Sequence, residues 1–196
     1  MRRRCKSIER KTKETDISIE IAVEGSGNIE VDTGIGFFDH MLISFLTHGN
    51  FDGNIKVSGD KHVDYHHSVE DTGIVLGMAF AGAIEDKNGI KRFGTYFVPM
   101  DEALAMASVD ISGRPYLVFD CNFPAQKIGD MDTELFIEFF RAFAFNFGIT
   151  LHIKLMYGSN SHHIAEAVFK AAARAIRKAL TLDSSIDAIP STKGVL

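Results

Sequence analysis

One short word occurs twice in this chain, and it limits what the chain can fold into. His66, His67 and Glu70 form H-H-x-x-E within DYHHSVED, and His162, His163 and Glu166 repeat it within NSHHIAEA. The same chemistry in the same order points to a duplicated supersecondary unit, hence to two similar halves. Residues three and four apart share a helix face, so a histidine and the glutamate of each word can meet on one cation. Neighbouring histidines project about 100° apart around a helix. A doublet therefore does not aim both rings at one ion, and two doublets point to two metal positions, each doublet reaching both. A single doublet is commonly a solvated helix start. Such a start has no reason to recur with the same three residue types.

The surrounding pattern repeats as well. Residues 15–24 alternate, with Ile17, Ile19, Ile21 and Val23 on one side and Ser18 and Glu20 on the other, as in a half-exposed strand. GSGN at 25–28 reads as a hairpin turn, with IEVDT returning as the partner strand. GIGFFDHMLISFLTHGN reads as a helix whose apolar stripe is Phe37, Phe38, Met41, Leu42, Phe45 and Leu46. Gly49 is the expected stop, and His40 and His48 fall on the less apolar side. A strand near 54–58 leads into the first H-H-x-x-E helix. Gly73, Gly77 and Gly82 weaken that helix intrinsically, and close helix packing is their expected use. After the loop EDKNGIKRFG the sequence of elements starts again. TYFVPM, ALAMASVDI and, beyond the turn SGRP, YLVFD read as strands. A helix over about 133–147 buries Phe136, Phe139, Phe140, Phe143 and Phe147. The strand TLHIKLMYG and the alanine-rich second H-H-x-x-E helix follow.

The expected organisation is a first half at 1–94, a second at 95–184 and a tail at 185–196. His40 precedes His66 by 26 positions and Glu138 precedes His162 by 24, so the helix before each word offers a candidate ligand at an equivalent place. The fold class is α/β of the α+β type. Two antiparallel or mixed sheets carry four helices packed between or against them.

Composition excludes several function classes. The 196 residues are 45% hydrophobic and 24% charged, enough to bury a real core. A formal net charge of −5 gives a nucleic-acid role no global support, and the basic start MRRRCK reads as a solvated end. No apolar run is long enough for a membrane span, and no apolar region follows the N-terminal arginines as in a secretory signal. The expectation is a cytoplasmic protein with no membrane partner. Cys5 and Cys121 lie outside any C-x-x-C and read as reduced thiols, which removes zinc-finger and iron–sulfur chemistry. Imidazoles and carboxylates without thiolate suit Mn²⁺, Fe²⁺, Zn²⁺, Co²⁺ or Ni²⁺, and the residues alone do not choose. STKG near the end lacks the upstream glycine of a Walker loop. On the residues alone, a metal-storage shell, a dinuclear phosphate-ester hydrolase and a purely structural repeat remain open.

Four words in order, GIGFFDHML, DYHHSVEDTGI, SNSHHIAEAVFKA and PSTKGVL, make the chain resemble the imidazoleglycerol-phosphate dehydratase family of histidine biosynthesis. The resemblance runs from about residue 7 to the C-terminus. It implies a hydro-lyase with two Mn²⁺ per active site that converts imidazole glycerol phosphate to imidazole acetol phosphate and water. It also implies fused halves of the ribosomal protein S5 domain 2-like kind, and a homo-oligomer of 24 subunits built of trimers with sites at subunit contacts. Residue by residue, it implies His40, His67, Glu70 and His162 at one ion and His66, His163 and Glu166 at the other. Glu138 completes the second set where some relatives carry histidine. Glu14 in KTKETD matches a substrate-contacting glutamate and is the expected base, and His48 matches a pocket position beside the hydroxyl. Arg92, Arg114, Lys170, Ser191, Thr192 and Lys193 match phosphate and substrate positions. His40, His66, Glu70 and His162 are expected to touch substrate too. The implied chemistry starts from a proton beside a hydroxyl, which is barely acidic. Two cations on the ring nitrogens stabilise an imidazolate that expels the hydroxyl as a diazafulvene-like species, and a carboxylate base completes the reaction. Asp101 and Glu102 stay unassigned, with turn chemistry as the default. His62 and His152 read as structural or solvated.

Overall fold

The computed structural model describes residues 4–85, 87–183 and 185. The first half runs β1 (Cys5–Lys11), β2 (Thr15–Ala22), β3 (Ile29–Asp32), α1 (Gly36–Gly49), β4 (Asp52–Gly59) and α2 (His66–Ala83). The second half runs β5 (Phe93–Met100), β6 (Ala103–Asp110), β7 (Tyr116–Asp120), a small hairpin of β8 (Lys127–Ile128) and β9 (Met131–Asp132), then α3 (Leu135–Phe147), β10 (Thr150–Tyr157) and α4 (Ser161–Leu180). The two main sheets have orders β1-β2-β4-β3 and β5-β6-β10-β7. In each, only the last pair, β3 with β4 and β7 with β10, is parallel. The same crossover in both halves is the duplication that the repeated word predicts.

Three local expectations need correction. GSGN does not close a hairpin, because β3 pairs in parallel with β4 while β4 takes the place beside β2. Helix α1 supplies the long connection that a parallel pair requires. The turn is held instead by the buried Asp52, whose Oδ1 accepts the amides of Ser26, Gly27 and Asn28 at 2.6, 2.9 and 3.0 Å. Of the start MRRRCK, residues 1–3 lie outside the described residues, but Cys5 and Lys6 are no solvated end, since Cys5–Lys11 pairs along its whole length with β2. Its inward residues are Lys6, Ile8 and Arg10, and long basic stems cover apolar surface in a way that hides the strand's alternation. Finally, α1 closes on Asn50, which takes the left-handed conformation at φ 51. Gly49 remains in the last helical turn.

Helices α1 and α2 lie on the first sheet, and α3 and α4 on the second. Across the middle α1 meets α4 and α2 meets α3. The second meeting depends on missing side chains. A Cβ on Gly73 or Gly77 would stand 2.6 Å from the carbonyl oxygen of Phe139 or Phe143 respectively. Gly82 receives the Lys6 stem instead. Phenylalanine rings knit the halves together: Phe38 meets Phe139 edge-on at 5.4 Å and Phe80 meets Phe143 at 5.7 Å. Such pairs contribute about 0.5–1.5 kcal/mol each beyond area burial. The crosswise pairing places a residue of α1, from one half, beside the word on α4, from the other.

Candidate metal centre

Both words begin a helix, the second behind the side-chain cap Asn160 and the first behind Asp64, one residue ahead of its N-cap Tyr65. Asn160 Oδ1 accepts the amides of His162 and His163 at 2.9 and 3.4 Å. Asp64 Oδ1 accepts the amide of His66 at 2.8 Å. Short polar side chains satisfy the free amides of the first turn, so each doublet stands at a helix mouth.

Three side chains converge at the α1–α4 crossing. His40 Nε2 lies 3.2 Å and His162 Nε2 3.0 Å from Glu166 Oε1. Their ligand atoms all lie within 4.8 Å of one another, the one such grouping of His, Cys, Asp and Glu among the described residues. Phe37 sets its edge against both rings, 5.1 Å from His162 and 6.3 Å from His40. Glu166 is buried, and its Oε2 receives Lys170 Nζ at 2.5 Å. Burial pushes this carboxyl up, but hydrogen bonds from Lys170, His40 and His162 outweigh that and hold it at about 2. Glu166 is therefore an anion throughout the physiological range, so each ring nitrogen beside it donates a proton. Two imidazoles and one carboxylate without sulfur suit a divalent cation of intermediate hardness, which would replace those ring protons.

The first word is arranged differently. His66 Nε2 stands 3.7 Å from Glu70. His67 Nδ1 meets both oxygens of Asp60 at 3.1 and 3.2 Å, and its Nε2 is 4.0 Å from Glu14. In the second word His163 Nδ1 meets Glu102 at 2.7 Å, and its Nε2 is 3.7 Å from Asp101. The Asp60 hydrogen bond raises His67 and the Glu102 hydrogen bond raises His163. Reciprocally, His163 and the Asn160 amide bring Glu102 down to about 2.

The remaining expected residues are scattered around these clusters. Glu138 lies on α3 and pairs with Arg141 at 2.5 Å. Helix α3 packs on α2, which carries the first word, as α1 packs on α4, which carries the second. His48, in the last turn of α1, is lowered by burial and then by the charges of Lys170 and Arg174. Arg92 Nε binds Asp110 at 2.7 Å, and Arg114 Nη2 lies 3.7 Å from the same carboxylate. Ser191, Thr192 and Lys193 lie outside the described residues. Within one protomer, then, His40 and His162 are together and Glu166 joins them, while His67 and Glu70 stand on α2. Sequence reasoning passed over Asp60 and treated Glu102 as turn chemistry. Asp60 precedes His67 by only seven positions and could have been suspected, whereas Glu102 reaches His163 only through the fold.

The family model described as imidazoleglycerol-phosphate dehydratase matches residues 33–176, most of the chain. The chain belongs to the imidazoleglycerol-phosphate dehydratase family. It is 58% identical to the dehydratase of Thermoanaerobacter pseudethanolicus over 189 residues, 96% of this chain and 97% of that protein. It is 56% identical to the dehydratase of Clostridium botulinum (strain Langeland) over 196 residues, all of both chains. The crystal structure of the Staphylococcus aureus N315 dehydratase superimposes with a TM-score of 0.83 at 42% identity, covering 91% of this chain and 99% of that one. That of the Pyrococcus furiosus enzyme, described as in complex with (S)-C348, gives 0.83 at 39% identity over 96% and 100%. The dehydratase family is one of hydro-lyases of histidine biosynthesis, and this member is an enzyme of that kind. Among the described residues no helix is long and apolar enough to cross a membrane.

Proposed function

We propose that the chain dehydrates D-erythro-imidazole glycerol phosphate to imidazole acetol phosphate with two Mn²⁺ at each site, in the cytoplasm. The observation that carries the metal reading is the trio of His40, His162 and Glu166, drawn from both halves onto one point. His67, Glu70, His66, His163 and Glu138 are the further ligands in this reading. When bound, the two ions supply Lewis acidity to the substrate's imidazole, favouring the imidazolate and diazafulvene-like route to hydroxide loss.

The chain's own residues have distinct tasks. Glu14 accepts the carbon-bound proton beside the departing hydroxyl. The carbon–oxygen bond breaks first; the proton that Glu14 then takes from the neighbouring carbon joins the departed hydroxide as water, and the enol left behind tautomerises to the ketone. His48 is lowered by burial and nearby cations, so it stands neutral beside the hydroxyl and can both donate and accept. Arg92, Arg114 and Lys170, with Ser191, Thr192 and Lys193, bind the phosphate through charge-assisted hydrogen bonds. The first word is half-exposed, with 44% exposure for both His66 and Glu70 side chains. That supports completion of the site by a neighbouring copy, and the 24-subunit assembly of trimers is what membership of the family leads us to expect.

Turnover of the phosphorylated substrate by the purified chain, before and after chelation, tests the proposal. Chelation should abolish activity, and added Mn²⁺ should restore it with two ions per protomer. Chelator-resistant turnover would sink the metal reading. Ion uptake without turnover would favour a storage shell.

A further inference from the structure

The second histidine of each word has a partner of the same kind, a carboxylate on Nδ1 with no task assigned to it. His67 Nδ1 is held by the two oxygens of Asp60, at 3.1 and 3.2 Å, and His163 Nδ1 by Glu102 Oε2, at 2.7 Å. The carboxylates come from unrelated places. Asp60 directly follows β4, whereas Glu102 sits in the turn between β5 and β6. The first histidines differ, because His66 and His162 direct Nε2 toward the glutamate of their own word. Two halves that reach one arrangement from different loops point to a demand of the site rather than an accident of one loop.

Chemistry identifies that demand. An ionised carboxylate only accepts hydrogen bonds, so Nδ1 must carry the proton. In a neutral ring this leaves the lone pair on Nε2, the atom a cation needs. A carboxylate on the far nitrogen also fixes the ring plane and raises its basicity as a ligand. We propose that Asp60 and Glu102 are positioning residues that hold His67 and His163 in the Nδ1–H tautomer, each presenting Nε2 to one of the two metal ions. This rests on the two-ion reading above, and it adds a task for two carboxylates which that reading leaves unused.

Glu102 also performs a structural task. Its Oε1 accepts the amides of Ser159 and Asn160 at 3.2 and 2.7 Å, fastening the start of α4. Glu102→Gln separates the two tasks. A glutamine oxygen can still accept those amides, but its NH₂ cannot accept from Nδ1. Asp60→Asn makes the corresponding change at His67.

The test is Mn²⁺ binding to the full-length chain, followed by the loss of the free-ion electron paramagnetic resonance signal and by calorimetry. Circular dichroism and elution volume report folding and assembly. The unmodified chain should bind two ions per protomer. Each single variant should weaken one ion by about 10–100-fold and leave the other unchanged, and the double variant should weaken both. Glu102→Asp, which restores a carboxylate, should recover part of the loss. If one variant fails to fold, the other half of the molecule still decides the matter, because each site has its own carboxylate. Variants that bind both ions within about two-fold of the parent would overturn the inference alone. A parent chain that takes up no ion would overturn it together with the reading beneath it.

Discussion

Glu14 stands in the short turn between β1 and β2, its carboxylate 4.0 Å from His67 Nε2. Thr15, next to it, donates to the buried Asp71 at 2.5 Å, and Arg10 pairs with the same carboxylate at 2.7 Å. The turn is thereby tied to α2 one residue beyond Glu70. The proposed role of Glu14 as the base predicts that Glu14→Gln lowers kcat by about 10²–10⁴-fold and leaves the stoichiometry of bound metal unchanged. Steady-state kinetics beside metal analysis checks this, and loss of an ion would make Glu14 a ligand instead. Asp52 gives a prediction of a different kind. Burial pushes its carboxyl up, but the amides of Ser26 and Asn28 and the Ser26 hydroxyl outweigh that and leave it below its ordinary 3.8. A carboxyl with a depressed folded value contributes fully above its unfolded value and less as pH falls through the folded one. Asp52→Ala should therefore cost about 1–3 kcal/mol at neutral pH, and the gap to the parent should narrow as the pH falls below the ordinary 3.8, as read from urea midpoints. The ligand types were legible at this scale because H-H-x-x-E recurs. The partners of His67 and His163 were not, because hydrogen-bond acceptors carry no periodic signal and Glu102 lies 61 positions from the ring it holds.

At the scale of elements, what was legible followed apolar periodicity. Helix α3 shows five phenylalanines on one side in the sequence, and all five are buried. Strand β2 shows its isoleucines in the same way. Strand β1 has Ile8 as its one inward apolar residue, and β3 is only four residues long. The partner of β3 is chosen by the path of α1 rather than by any signal in GSGN. Gly73 and Gly77 were legible as a cost to α2 whose cause lay in another helix. With carbonyl oxygens 2.6 Å from their absent Cβ atoms, they predict that Gly73→Ala destabilises the protein even though alanine is the better helix former. Backbone cannot yield as a flexible side chain can, so α2 and α3 must part. Overpacking of this kind costs about 1–3 kcal/mol, against a gain of at most about 1 kcal/mol from propensity. A fall in the urea midpoint checks it, and an unchanged or higher midpoint would show that the helix pair is loosely packed.

At the scale of the molecule, the repeated order of elements begins again at β5, after α2 ends at Ala83, but the structure does not divide there. The helices cross between halves, α1 with α4 and α2 with α3, so each half leaves its helix layer uncovered when alone. For the first half that layer includes Phe38, Phe45 and Phe80, each fully buried in the intact chain. Their rings meet Phe139, Phe143 and Phe147 of the second half. Uncovering a large apolar side chain costs up to about 1.5–3 kcal/mol, so three of them cost several kcal/mol against a total stability of about 5–15 kcal/mol. The trio of His40, His162 and Glu166 is also split, one residue on one side and two on the other. A chain of residues 1–94 alone should therefore show no cooperative urea transition, or should self-associate through its helix face. Mixed with residues 95–196, it should regain the circular dichroism of the intact chain and whatever metal uptake the intact chain shows. A monomeric first half with its own sharp transition would mean that the duplicated unit is a domain in itself. The site between the halves would then be a later union of two stable parts rather than the centre of one core.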